Sequence, residues 1–212
     1  VGRAATKVTP TESSAAADSI VAADARAAEL ESKPGIQLAR RYISDSDIVV
    51  RYRALHVLAE KDSEFVAKHA VSLLQVPNDT FRYEVCTVLA TAGRKDARAA
   101  LESLVLNPVQ SRNPNVLRIK AVAALATCGN RDSIPVIQPL AQGSYLNSLT
   151  GTAVRSLTRI AKDDPTATAE VWRILIRSFP EQLEDTPVHA RYCSAVAKSV
   201  NAALESVTGL QQ

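Results

Sequence analysis

The stretch Asn78-Asp79-Thr80-Phe81-Arg82-Tyr83-Glu84-Val85-Cys86-Thr87-Val88-Leu89-Ala90-Thr91-Ala92-Gly93 sets the reading of the whole chain. An apolar residue precedes Arg82, and small and branched residues follow it at the three- and four-residue steps of one helical face. Gly93 suits the left-handed residue that ends a helix. Working outward, Asp47-Ile48-Val49-Val50-Arg51-Tyr52-Arg53-Ala54-Leu55-His56-Val57-Leu58-Ala59 lies before it and superposes on it. Asn115-Val116-Leu117-Arg118-Ile119-Lys120-Ala121-Val122-Ala123-Ala124-Leu125-Ala126-Thr127-Cys128-Gly129 lies after it and does the same. The anchors Arg51, Arg82 and Arg118 are 31 and 36 residues apart. A fourth copy follows with Ala153, Val154, Leu157 and Ile160 as its core face, and with Thr150 where the others carry arginine.

A second signal runs in step with the first. The turn after each of these helices ends in aspartate, at Asp62, Asp96, Asp132 and Asp164, spaced by 34, 36 and 32 residues. Each aspartate suits the N-cap of the next helix, and Gly129 matches Gly93 as a helix stop. Second amphipathic stretches follow at 65–76, 97–106, 134–141 and 167–179, and Pro77, Pro108 and Pro180 close three of them. Pro139 predicts a kink or a late start in the third. The unit is therefore helix, tight turn, helix, loop.

These signals predict an all-α fold, a right-handed α-solenoid of five to six stacked antiparallel hairpins. It forms a single domain over 13–208, with repeats at 13–45, 46–76, 78–107, 114–143 and 147–180, a capping helix at 187–208, and tails at 1–12 and 209–212. In the first repeat the Ala-rich helix 14–31 has only Ile20, Val21 and Leu30 to bury. Composition agrees: hydrophobic residues are 46%, but aromatics only 4% and glycines only 7, which is sparse for an all-β chain.

The net charge of +3, from 25 basic and 22 acidic residues, lacks the dense basic stripe of a duplex binder, so nucleic acid is disfavoured. No apolar run reaches membrane-span length. Three scattered cysteines, Cys86, Cys128 and Cys193, fit buried thiols of an intracellular reducing compartment. The chain starts at Val1 and contains no methionine. We therefore expect a processed or trimmed chain, cytoplasmic or in an organelle after loss of a targeting peptide.

The pattern resembles the HEAT-like repeats of the phycobilisome-lyase type over roughly residues 35–180. The resemblance is carried by Asp47/Arg51, Asp79/Arg82, Asn115/Arg118 and the turn aspartates. Tetratricopeptide and ankyrin signatures are absent, and classical HEAT units are longer, at ~40–47 residues. Stacking explains the signature: Arg51, Arg82 and Arg118 can form a structural ladder with Asp62, Asp96 and Asp132 in neighbouring turns, or satisfy backbone carbonyls.

No catalytic constellation, cofactor motif or metal-ligand spacing emerges. His56, His69 and His189 form no zinc pattern. His189 and Cys193 share a helical face, a pair more simply read as ordinary helix surface and buried thiol. The acidic run Glu181, Glu184 and Asp185 reads as solvated surface. Second helices line the concave side of HEAT-type solenoids. Their outward residues give a mostly basic row of Arg40, Arg41, Lys68, Arg98, Gln138, Arg173 and Arg177, with Trp172 and Tyr192 as candidate aromatic anchors. The row is either plain solvated surface or a contact for an acidic protein partner. The expected function is a non-catalytic scaffold or accessory subunit within a larger complex. The resemblance implies one alternative, a subunit of a phycobilin lyase-like chromophore attachment or detachment factor. A HEAT-like nucleic-acid binder is the other.

Overall fold

The computed structural model describes residues 10–32, 35–108, 111–142 and 148–178, which are helix and turn with no strand among them. Packing divides the chain into two compact units, Val1–Asp62 and Ser63–Gln212. The boundary falls at the first turn aspartate, inside the hairpin expected at 46–76. The expected capping helix 187–208 and tail 209–212, and with them His189, Tyr192 and Cys193, lie outside the described residues, as do Pro180 and the acidic run at 181–185.

In the first unit, α1 (Pro10–Ser32) and α2 (Ile36–Tyr42) both pack on α3 (Ile48–Lys61). Asp47 starts α3 by accepting from the backbone N–H groups of Val49 at 2.7 Å and Val50 at 3.4 Å, which satisfies two donors that no helical carbonyl can reach. Val50, Ala54, Leu55 and Leu58 form the buried stripe of α3. Arg26–Asp45 at 2.8 Å and the Tyr42 hydroxyl donating to Glu29 at 2.8 Å pin α1. Of the three residues expected to be buried on α1, only Leu30 is; Ile20 and Val21 are 63% and 67% exposed. The reason is length. A 23-residue helix runs about 35 Å and the 14 residues of α3 about 21 Å, so the N-terminal part of α1 extends past its support.

The second unit contains α4 (Ser63–Lys68), α5 (Ala70–Leu74), α6 (Asp79–Ala92), α7 (Arg98–Leu106), α8 (Pro114–Cys128), α9 (Ile134–Ala141), α10 (Ser148–Asp163) and α11 (Thr168–Ser178). First helices pack in chain order, α6 on α8 and α8 on α10. Second helices do the same, α5 on α7, α7 on α9 and α9 on α11. Each of α7 and α9 also packs on the first helix that follows it. Val85, Leu89, Leu101, Leu117, Leu125, Ile137 and Leu157 fill the space between the layers, all fully buried. Each such side chain contributes about 1.5–3 kcal/mol by leaving water.

The turns differ from the expected pattern in informative ways. Gly93 does end α6 in the left-handed region, at φ 60°. Gly129 ends α8 in an extended conformation instead, at φ −75° and ψ 175°. Glycine is required there because a Cβ would sit 2.4 Å from the Leu125 carbonyl oxygen. Three-residue 3-10 turns, Lys95–Ala97, Arg131–Ser133 and Pro165–Ala167, lead directly into α7, α9 and α11. Asp96 and Asp132 therefore lie inside these turns and are not their N-caps. The caps are Arg94, whose side chain caps no backbone N–H, and Asn130, which forms a reciprocal capping box with Ser133. Asp164 does cap its turn, accepting from the Thr166 N–H at 3.0 Å, whereas Asp62 sits at the C-terminal end of α3.

Two helices depart from the expected outline. The stretch 65–76 breaks at His69, whose imidazole Nδ1 lies 2.8 Å from the Phe65 carbonyl and competes locally for it. Pro139 neither delays nor ends α9; it sits inside it. It has no N–H for the carbonyl of Pro135, but Pro135 lies on an exposed face where water can take over that carbonyl.

Candidate functional site

The repeat arginines act on backbone rather than on the turn aspartates. Arg51 Nε donates to the Asp45 carbonyl, Arg82 Nε to the Val76 carbonyl at 2.6 Å, and Arg118 Nε to the Val105 carbonyl at 3.2 Å. Each guanidinium thus ties a first helix to the main chain ahead of it. Arg82 is the most enclosed, at 2% exposure, and also pairs with Asp79 at 3.2 Å. Asp79 in turn accepts from the Ser111 hydroxyl and the Arg112 N–H, both at 2.9 Å, on its other oxygen. The expected ladder of Arg51, Arg82 and Arg118 with Asp62, Asp96 and Asp132 is thus replaced by carbonyl ties. The fourth copy has Thr150 at this position, buried.

Three of the turn aspartates pair with basic residues of a second helix or of the turn itself. Arg40 pairs with Asp62 at 2.5 Å, Arg98 with Asp132 at 2.8 Å, and Arg94 with Asp96 at 3.0 Å. Arg98 also donates to the Asn130 side chain at 2.9 Å. Lys68 pairs with Glu64 at 2.6 Å, and Lys68 is the principal reason the Glu64 carboxyl is held below the usual range. Arg41 is exposed, with its guanidinium over the Tyr42 ring at 5.8 Å. Arg173 and Arg177 are exposed and make no ion pair among the described residues.

Register separates these residues further. Because α7, α9 and α11 each start right after a 3-10 turn, Arg98, Ile134 and Thr168 are equivalent positions. The outward positions are then the second and the sixth: Ala99, Pro135 and Ala169, and Ser103, Pro139 and Arg173, all exposed. Arg98, Gln138 and Arg173 therefore do not share one register position. Arg98 falls at the first helical position, Gln138 at the fifth and Arg173 at the sixth. What does run along this face is a strip of alanine, serine and proline that gains charge only on α11. Between α5 and α7 it opens into a groove of about 170 Å³ lined by Val71, Leu74, Ala99, Ala100, Ser103 and Leu104, among others. Val71 and Leu106 stand 58% and 59% exposed beside it. Trp172 is half-buried on the far side of this strip, so it serves packing more than contact.

A larger polar cleft, about 480 Å³, lies between the start of α6 and the loop before α8, lined by Pro77, Asn78, Asp79, Thr80, Tyr83, Arg112 and Asn113. Its carboxylate is consumed by Arg82, Ser111 and Arg112, and the Tyr83 hydroxyl is shut away from solvent. No chemistry converges there.

Sequence reasoning missed a set of small polar residues that cross-link the first helices. Thr127 donates to the Ala90 carbonyl at 2.7 Å, Cys128 Sγ to that of Leu89 at 3.1 Å, and Ser156 to that of Val122 at 2.8 Å. Lys95 reaches the carbonyls of Thr127 and Gly129 at 2.9 and 2.5 Å, closing the C-terminus of α8. Their signal was polar side chains on helical faces otherwise apolar. Burial pushes the Cys86 thiol up to about 12 and raises that of Cys128, so both stay protonated at neutral pH and are poor nucleophiles. No group of metal-binding side chains and no helix long and apolar enough to cross a membrane occurs among the described residues. No family model, no curated protein and no solved structure matches the chain.

Proposed function

We propose that the chain is a non-catalytic helical-repeat scaffold, a HEAT-like α-solenoid that holds a protein partner along its second helices. The observation that carries this is the uncharged outward strip: Ala99, Ser103, Pro135 and Pro139 occupy equivalent exposed positions on a chain with 22% charged residues. Solvated helix faces ordinarily carry Lys and Glu, whereas the centres of protein interfaces are depleted in them. The groove between α5 and α7 gives this strip a place for an apolar anchor. Arg40 and Arg98 then serve register between neighbouring elements, Lys68 pairs within its own helix, and Arg173 and Arg177 are the exposed candidates for contact with an acidic partner surface.

Capture from native extract tests the proposal. Ser103→Glu places a charge in the strip and Thr87→Glu places one on the exposed side of α6. A protein retained by the Thr87 variant and lost by the Ser103 variant supports the second-helix face; equal retention by both removes it.

A further inference from the structure

We infer that the N-terminal half of α1 is a further docking surface, one that takes a short basic amphipathic helix of a partner protein. It belongs to the first unit and does not rest on the docking face proposed above. The argument starts from the contact between α1 and α3. There the covered stripe of α1 is Ala23, Ala27 and Leu30, at four- and three-residue steps, with Ala23 and Leu30 buried and Ala27 half-buried. Charged residues flank this stripe and are matched. Arg26 pairs with Asp45 at 2.8 Å on one side, and Glu31 with Arg53 at 2.5 Å on the other. The two pairs also show that α1 and α3 run parallel, so the free end of α1 projects past the start of α3. One turn nearer the N-terminus the same stripe continues with Ile20, in the heptad position of Ala27, but Ile20 is 63% exposed and Val21 beside it 67%. Asp24, exposed, stands seven residues before Glu31 and on the same flank.

The contact with α3 therefore sets the terms for its continuation. An occupant of the space beyond α3 lays apolar side chains on Ile20 and, as Arg53 does for Glu31, brings a Lys or Arg to Asp24. Residues 10–25 hold Glu12, Asp18 and Asp24 and no Lys, Arg or His, on a chain whose net charge is +3. Pairing this stretch with its equivalent in a second copy supplies no base to either, which favours a different, basic partner. The helix gains from such a cover, because a run of about 13 residues without tertiary support is marginal as a helix in water. The projecting part is about 14 Å long, which a helix of about ten residues spans.

Fluorescence anisotropy on the full chain tests this with a labelled model helix of about 15 residues, a leucine stripe flanked by lysines, and its twin with glutamate in place of lysine. The lysine peptide should bind about tenfold tighter than the glutamate peptide. Combining Ile20→Gln with Val21→Gln, which leaves the charge unchanged, should weaken it about tenfold. Asp24→Lys should weaken it about threefold, and Val71→Gln, on α5, should leave it unchanged. Ile20 and Val21 are exposed, so an unchanged urea midpoint shows that their variant is folded. The inference is overturned by no saturable binding, by equal binding of the two peptides, or by binding that ignores the Ile20 and Val21 changes or falls equally with Val71→Gln. Self-association in sedimentation velocity that the Ile20 and Val21 changes abolish also overturns it, because a second copy then fills the stripe.

Discussion

The first-helix layer and the second-helix layer of the unit from Ser63 onward use similar amounts of alanine and leucine, yet they handle polar groups in opposite ways. Where first helices meet one another or the preceding loop, polar side chains turn inward: Arg82, Thr127, Cys128 and Ser156 spend their donors on carbonyls of the neighbouring helix or that loop. Among second helices, charged groups gather at the turn edge as exposed pairs such as Arg98–Asp132, and the outward strip carries no charge on α7 and α9. An inward bond at low exposure fixes a register strongly, because leaving its acceptor unpaired is costly. An exposed pair fixes it weakly. The layer that needs to hold its shape has the first kind, and the layer that faces outward has the second.

The largest effect that would sharpen this contrast is at Arg82. Arg82→Ala leaves the Val76 carbonyl and the Asp79 carboxylate without their guanidinium, and should lower unfolding free energy by about 3–5 kcal/mol in urea titration. A loss below ~1 kcal/mol would put Arg82 in the same class as the edge pairs. Next is Gly129→Ala, whose new Cβ meets the Leu125 carbonyl oxygen at 2.4 Å; the expected cost is about 1–3 kcal/mol. Arg98→Ala, in a pair whose partner is 70% exposed, should cost less than about 1 kcal/mol and less still in high salt. Ser103→Glu should leave stability within about 0.5 kcal/mol while abolishing partner capture, which separates contact from folding.

Thiol chemistry probes the same inner layer. Native Cys86 should resist alkylation at pH 9, mapped by mass spectrometry, while the urea-unfolded chain reacts there. Its thiol is pushed up to about 12 by burial, against ~8.5 in an unfolded chain. The folded state thus holds a proton that the unfolded state releases. Its contribution to stability is fully present below about pH 8.5 and declines as pH rises through the native value. Stability that climbs between pH 8.5 and 10 would contradict the buried, protonated assignment.

Helices and their order were legible because apolar spacing is local: the four first helices and the cores of the second helices lie where periodicity puts them. The turns were half legible. Gly93 takes the left-handed conformation that its position demands, but Gly129 is glycine for a close carbonyl contact that only the folded chain creates. Aspartate at a turn signals a helix start, yet the extra 3-10 turn ahead of α7 and α9 moves the cap two residues upstream, to Arg94 and Asn130. The candidate site was least legible. Reading cations along the chain grouped Lys68, Arg98 and Arg173, but sequence does not show which strip of the helix each occupies, nor that Glu64 and Asp132 already face two of them. The uncharged strip escaped notice because alanine, serine and proline carry no chemical signature until their register is known.

Hydrogen–deuterium exchange of the chain with and without its captured protein tests the division of labour between the layers most directly. Binding should slow exchange in Arg98–Leu106, Ile134–Ala141 and Thr168–Ser178 and leave Asp79–Ala92 unchanged. Protection that appears on α6 and α8 while the second helices exchange as before would contradict it.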